Sequence, residues 1–287
     1  MKLEELRVPL IPRSMCDCLD LGVKFYGRHL LEILKLWFWV AAPTALMIYP
    51  AVYFGMAHLG HALLLVFLVT GPWSVLLVQK AVQTSFGEEF SSYPNHAGEL
   101  KSLFVLMLKA VGIRVLTVLA SVLLIIPGWL IAVRASFFIE KQGLSYWRGD
   151  SQDRGTGRLV KQEMGALLSR SFGVWCYTLL YGMCIFLTFD FLVENLFNQS
   201  MFSGKVFNED LLYGYSESEY GVLGEWVQLV GHDPVIVTLV SSVLLLVYPI
   251  GRFAWYFSYI DLRVRGDFWD LELRFQKEVE YLREATG

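Results

Sequence analysis

VLTVLASVLLIIPGWLIAVRASFFI, residues Val115–Ile139, is apolar for long enough to cross a bilayer, yet Pro127-Gly128 interrupts it near its middle. Proline removes a helical hydrogen bond and clashes with the preceding turn, and a neighbouring glycine allows a tight reversal. Two readings follow. The segment is either one kinked crossing or a hairpin with its tip toward the outer face. Each arm of such a hairpin reaches membrane length only by drawing on flanking residues, Leu108–Arg114 on one side and Glu140–Tyr146 on the other.

Four further apolar runs frame this one: Leu36–Met56, Ala62–Val78, Phe172–Val193 and Val235–Ile260. All come close to or exceed the roughly 18–20 residues that span a hydrocarbon core. The whole chain of 287 residues is 55% hydrophobic and 18% charged, a balance that disfavours water as its solvent. Strict period-two alternation is absent, which argues against a barrel. The expectation is therefore an all-α fold, a polytopic helical membrane bundle of about six transmembrane helices forming one integral membrane domain over 1–287. The lipid bilayer is its first partner. The first 30 residues lack an apolar core with a small-residue cleavage site, so the first membrane helix is expected to serve as an uncleaved insertion signal. A net charge of -3 leaves no basic excess for nucleic acid, and none is expected as a partner.

Charge then chooses between five crossings and six. Lys and Arg cluster at the N-terminus, between Lys141 and Arg170, and after Ile260, which the positive-inside rule assigns to the cytoplasm. The loop 195–234 carries Glu209, Asp210, Glu217, Glu219, Glu225 and Asp233 against Lys205 alone, and belongs outside. Five crossings would put the two ends on opposite faces. Six satisfy every placement, which favours the hairpin and puts both termini in the cytoplasm.

Three basic, helix-patterned stretches run into apolar segments: Leu19–Lys35, Leu100–Arg114 and Lys161–Arg170. In addition Val118–Glu140 (VLASVLLIIPGWLIAVRASFFIE) and Leu239–Asp261 (LVSSVLLLVYPIGRFAWYFSYID) place serine, an aliphatic run, proline and a terminal acid at matching or near-matching offsets. Together these suggest three units of interfacial helix plus helical hairpin. In the amphipathic helix expected over 14–35, Ser14 is the N-cap and Asp17 lies in the first turn. Leu19, Val23, Tyr26, Leu30 and Ile33 form its apolar stripe, opposite Asp20, Lys24 and Arg28, a pattern suited to the membrane interface. The segment 266–284 has a second stripe that includes Phe268 and Phe275. Its other face is acidic and is expected to pack on protein rather than anionic lipid. In the external loop, Leu223 and Trp226 belong to a stripe that rests on the outer leaflet or binds a partner.

Candidate chemistry is sparse. Arg134, Asp190 and Arg252 stand inside apolar runs, where an ionisable group is costly and marks either a structural pair or a substrate or ion path. Arg134 and Asp190 both fall in the outer half of the bilayer in the six-crossing arrangement. His58 and His61 could share a helical face, but nothing nearby in sequence completes a metal site, and no metal or other cofactor is expected. Cys16-Asp17-Cys18 lacks a second ligand cluster. The glycine-rich GDSQDRGTG (Gly149–Gly157) lacks the Gly-Lys-Ser/Thr ending of a phosphate loop, and the commonest hydrolase motifs do not occur.

The opening Pro12-Arg13-Ser14 with CDCLDLGVKFYGRHLLEIL, the central IIPGWLIAVRASFFIE and the closing YIDLRVRGDFWDLELRF (Tyr259–Phe275) resemble a broad bacterial family of six-crossing membrane proteins. That family is related to the membrane domain attached to glycerophosphodiester phosphodiesterases and to the YciC-like proteins. The resemblance implies a helical bundle in the bacterial cytoplasmic membrane with both ends inside. It carries over no catalytic residues, because the relatives' phosphodiesterase activity resides in a separate soluble barrel. The long acidic external loop and the Cys16-Asp17-Cys18 opening depart from the family's pattern. The leading functional expectation is a non-enzymatic component that assembles with other membrane subunits or with itself, with Trp226, Leu223, Phe268 and Phe275 as partner-binding residues. The alternative is a transporter or channel for a small solute or lipid built on Arg134 and Asp190.

Overall fold

The computed structural model describes residues 13–85, 97–123, 125–135, 137–142, 160–197, 202 and 230–267. Among them 94% are helical and none lies in a strand, so the fold is an all-α helical bundle. Its principal helices are α1 (Met15–Arg28), α2 (Leu30–Tyr53), α3 (Leu59–Ser85), α4 (Ala97–Leu123), α5 (Ile125–Ala135), α6 (Met164–Phe197) and α7 (Pro234–Asp267). Five contain stretches long and apolar enough to cross a membrane: Leu30–Tyr53, Leu59–Ser85, Lys101–Val122, Met164–Phe197 and Pro234–Arg265. Most of the loop 195–234 and of the segment 266–284, with Leu223, Trp226, Phe268 and Phe275, lies outside the described residues.

Of the three basic stretches, only the first holds a separate helix, α1, and its last residues, from Leu30 to Lys35, already belong to α2. α1 opens with the expected cap: the Asp17 backbone N–H donates to Ser14 Oγ (3.2 Å), while the Asp17 carboxylate accepts from the Ser14 N–H (2.9 Å) and hydroxyl (2.7 Å). It closes at His29, whose N–H reaches back to the carbonyls of Phe25 and Tyr26. The second stretch is instead continuous with its apolar run inside α4, and the third, from Met164 on, with its run inside α6. No proline separates basic from apolar residues in either place, and a lone glycine such as Gly112 or Gly165 does not end a helix.

The run that opened the question is a hairpin. In a continuous helix residues seven apart stand about 10 Å from one another along the axis. Here a Cβ on Gly128 would lie 2.9 Å from the Ser121 Cα and would overlap its Oγ, so the chain has doubled back and only glycine fits. α4 ends at Leu123 and α5 begins at Ile125, ahead of the Pro127-Gly128 pair. Pro127 thereby sits in the first turn of α5, where its missing N–H has no helical acceptor to lose. The arms are unequal. α5 has 11 residues, about 16 Å of rise. It ends at Ala135, and residues 138–142, which include Glu140, are again helical.

The chain divides into two compact units, one drawing on Met1–Ile33, Gly71–Cys176 and Pro249–Gly287, the other on Leu34–Thr70 and Tyr177–Tyr248. The centre of the first is the second half of α7, whose residues 249–262 are all buried. A helix enclosed on every side is apolar or aromatic all round, as Phe253, Ala254, Trp255, Tyr256 and Phe257 are. α1 docks directly on it. A Cβ on Gly22 would meet the Ala254 nitrogen and the Ile250 oxygen at 2.9 Å, and Phe25 stacks edge-on against Phe253 at 4.8 Å. The face of α1 that meets protein carries Cys18, Leu19 and Gly22, all buried; of the expected stripe Leu19 is buried, Val23 and Tyr26 are half-buried and Leu30 stands exposed. A similar close approach joins α3 to α4 at Gly71 and Ala110. Val133, Phe137, Leu167, Trp255, Tyr259 and Leu262 complete the core.

In the second unit the Trp37 indole N–H donates to the Ser242 carbonyl at 3.1 Å, linking α2 to the first half of α7. Gly55, with φ +70, supplies the left-handed residue that ends α2. Large apolar side chains such as Trp39, Leu46, Leu180 and Phe191 stand exposed. On α2, α4 and α6 such residues form broad apolar faces of the kind that meets acyl chains.

Candidate functional site

The charges of the first unit form two buried nodes. In the first, the Arg252 guanidinium lies 2.7 Å from the Glu140 carboxylate, with Glu140 fully buried and Arg252 nearly so. Phe137, one turn before Glu140, stacks on Trp255 at 5.0 Å and meets Tyr259 at 5.1 Å. An ion pair in such surroundings is stabilised by the low dielectric only as long as both partners are present.

The second node is built around Asp261, whose side chain is also fully buried. Its carboxylate takes Arg170 at 2.7 Å, Arg265 at 2.9 Å and the Arg13 backbone N–H at 2.6 Å. The Arg13 carbonyl in turn accepts from the guanidinium groups of Arg170 (3.3 Å) and Arg265. The residue preceding the α1 cap is thus gripped through both its backbone groups by the start of α6 and the end of α7. Beside it Cys18 is buried next to Ser258, and burial pushes its thiol above the ordinary range. A cleft of about 160 Å³ lined by Glu163, Arg170, Asp261 and Arg265 opens at this node. At the exposed end of α1, the Ser14 hydrogen bonds hold the Asp17 carboxyl below the usual carboxylate range.

The residues singled out from sequence fare differently. Arg252 is engaged by Glu140. Arg134 is exposed in the last turn of α5 and has no ion-pair partner among the described residues. Asp190 is only 2% exposed on α6, in the second unit, and accepts from the Phe202 backbone N–H at 2.8 Å. His58 and His61 do meet, with ring centroids 4.1 Å apart, and His232 joins them at 6.1 Å from His58. The Nδ1 of His58 accepts from the Gly60 N–H, and among the described residues no group of three His, Cys, Asp or Glu is placed to hold a metal ion.

Sequence reasoning missed Glu140, Asp261, Arg170 and Arg13 as site residues. The signal for two of them was present: Glu140 and Asp261 are the terminal acids of the two similar runs, and they are the two acids around which the nodes form.

No protein-family model, no curated protein and no solved structure matches the chain. The fold and its internal geometry therefore carry the functional argument.

Proposed function

We propose that this is a multi-pass protein of the bacterial cytoplasmic membrane, of the six-crossing kind, that acts as a non-enzymatic component assembling with other membrane proteins or with copies of itself. Both ends lie in the cytoplasm. The observation that carries the reading is the engagement of the buried carboxylates Glu140 and Asp261 by arginines of the same chain. Charges neutralised in this way brace the helices; they are not presented to a substrate. The same clamp supports the topology, because it brings Arg13 and Arg265 together and so favours an even number of crossings. A hairpin of α4 and α5 that enters and returns on one face meets that condition, whereas a single kinked helix does not.

The apolar faces of α2, α4 and α6 offer docking area beyond what the bundle itself covers. Purification in mild detergent followed by mass spectrometry is the test. Co-purifying membrane subunits or a concentration-dependent oligomer are expected, and a lone monodisperse monomer at every concentration would remove the proposal. Reporters fused after Gly287 should be active on the cytoplasmic side only.

Asp190 supports a second reading. A carboxylate buried within a membrane-spanning helix, here about two turns from its C-terminal end, is a candidate for proton or ion passage. In proteoliposomes carrying an internal pH-sensitive dye, transport requires a leak that the Asp190→Asn variant abolishes. Equal traces for the two proteins exclude proton passage through this residue.

A further inference from the structure

A pocket of about 150 Å³ opens between α1, the C-terminal end of α3 and the buried half of α7, all in the first unit. That is room for several water molecules or one small oxyanion. Its lining is mixed in a particular way. Lys24 and Arg28 come from successive turns of α1 and His29 from its C-cap, Thr84 and Ser85 from the end of α3, and Phe25 and Phe257 make an apolar floor. Two of these groups are incomplete as they stand. Thr84 is only 5% exposed, and its hydroxyl has no hydrogen-bond partner among the described residues, an omission that is costly in a buried site. Helical threonines commonly bond the carbonyl one turn back, as Thr44 and Thr117 do in this protein, yet Thr84 does not. Arg28 likewise has no ion-pair partner among the described residues, whereas Lys24 is paired with Asp20 at 2.6 Å.

We propose that this pocket binds a phosphate group, with the Arg28 guanidinium and the Thr84 hydroxyl as its donors and Lys24 at its rim. A planar guanidinium offers paired N–H groups to two phosphate oxygens, which an ammonium cannot do. The buried hydroxyl supplies the neutral donor that a partly desolvated oxyanion needs. Phe25 and Phe257 suit the carbon skeleton that a phosphate ester carries. The group can arrive on a membrane lipid, since α1 leads straight into the first membrane-spanning helix, or on a small soluble phosphate. This inference does not depend on whether the protein has protein partners.

Native mass spectrometry of the full chain in detergent doped with phosphatidylglycerol or phosphatidylcholine separates the sources, alongside thermal unfolding with inorganic phosphate and glycerol 3-phosphate. Preferential retention of phosphatidylglycerol, reduced on the order of tenfold in both Arg28→Gln and Thr84→Val, identifies a lipid headgroup. Stabilisation by the soluble phosphates, lost in the same variants, identifies a free phosphate. Both side-chain changes are conservative, and Arg28 is exposed, so unfolding midpoints measured without phosphate distinguish a binding defect from a folding defect. If either variant proves misfolded, Lys24→Gln at the rim replaces it and should weaken binding severalfold. No retention preference together with no phosphate stabilisation in the unaltered protein overturns the proposal, as does binding that survives every substitution.

Discussion

Val118–Glu140 and Leu239–Asp261 share a pattern of serine, aliphatic run, proline and final acid, yet one folds as a hairpin and the other as an unbroken part of a 34-residue helix. The position of the proline relative to the helix start separates them. Pro127 stands in the first turn of a new helix, with Gly128 packed on Ser121, whereas Pro249 lies inside α7. A helix-interior proline forfeits a hydrogen bond, and α7 tolerates it where the surrounding residues bury the helix on all sides. The common feature is the last residue of each run, an acid buried against arginine. Conserved pattern and conserved path are thus separate properties: the acid keeps its role while the backbone leading to it changes course.

That comparison can be broken most sharply at the acids. Asp261→Ala leaves Arg170, Arg265 and the Arg13 N–H facing an empty site, and should cost about 3–5 kcal/mol, read as a lowered unfolding midpoint in detergent. Glu140→Ala removes a single arginine's partner and should cost about 3 kcal/mol. The double variant Glu140→Leu with Arg252→Leu should recover most of that loss, because it leaves no unpaired buried charge. An equal loss in single and double variants would mean that the pair does more than balance itself.

The hairpin is the next target. Gly128→Ala must displace Ser121 and should cost about 1–3 kcal/mol, with Ser121→Gly restoring part of it in the same molecule. The same Gly→Ala change at Gly112, in the open on α4, should be neutral or slightly stabilising, by up to about 1 kcal/mol. Convergence of the two effects would show that α4 and α5 do not close on each other.

A smaller effect concerns the cap that precedes the Asp261 clamp. Ser14→Ala should cost about 1 kcal/mol. Because the Asp17 carboxyl is held below its ordinary range by Ser14, its contribution is present above the unfolded value and fades as pH falls through the folded one. Asp17→Asn should therefore flatten the acid limb of the stability profile, whereas a profile that keeps its full slope would assign it to other carboxylates.

Local chemistry in this chain was legible and long-range chemistry was not. The Ser14 cap depends on residues three apart, and the five long apolar helices depend on composition, so both could be read directly. The seat of α1 could not. An amphipathic stripe is equally suited to lipid and to another helix, and what decides is Gly22 allowing contact with the backbone of Ala254, a partner 232 positions away in a sequence that does not announce it. Pro127-Gly128 reads as the point of reversal because those residues break helices, whereas in the structure Pro127 lies just inside the start of α5, where a proline is also comfortable. Arg252 was singled out as an isolated charge; its partner Glu140 escaped notice because it closes an apolar run instead of interrupting one.

The grip of Asp261 on Arg13 also sets an order of events during synthesis. The chain emerges from its N-terminus, so α1 is made long before the carboxylate and the α7 backbone that receive it exist. For most of translation the first helix is therefore without its berth on α7, and the residues that α7 covers in the finished protein must be sheltered in some other way until the last helix is made.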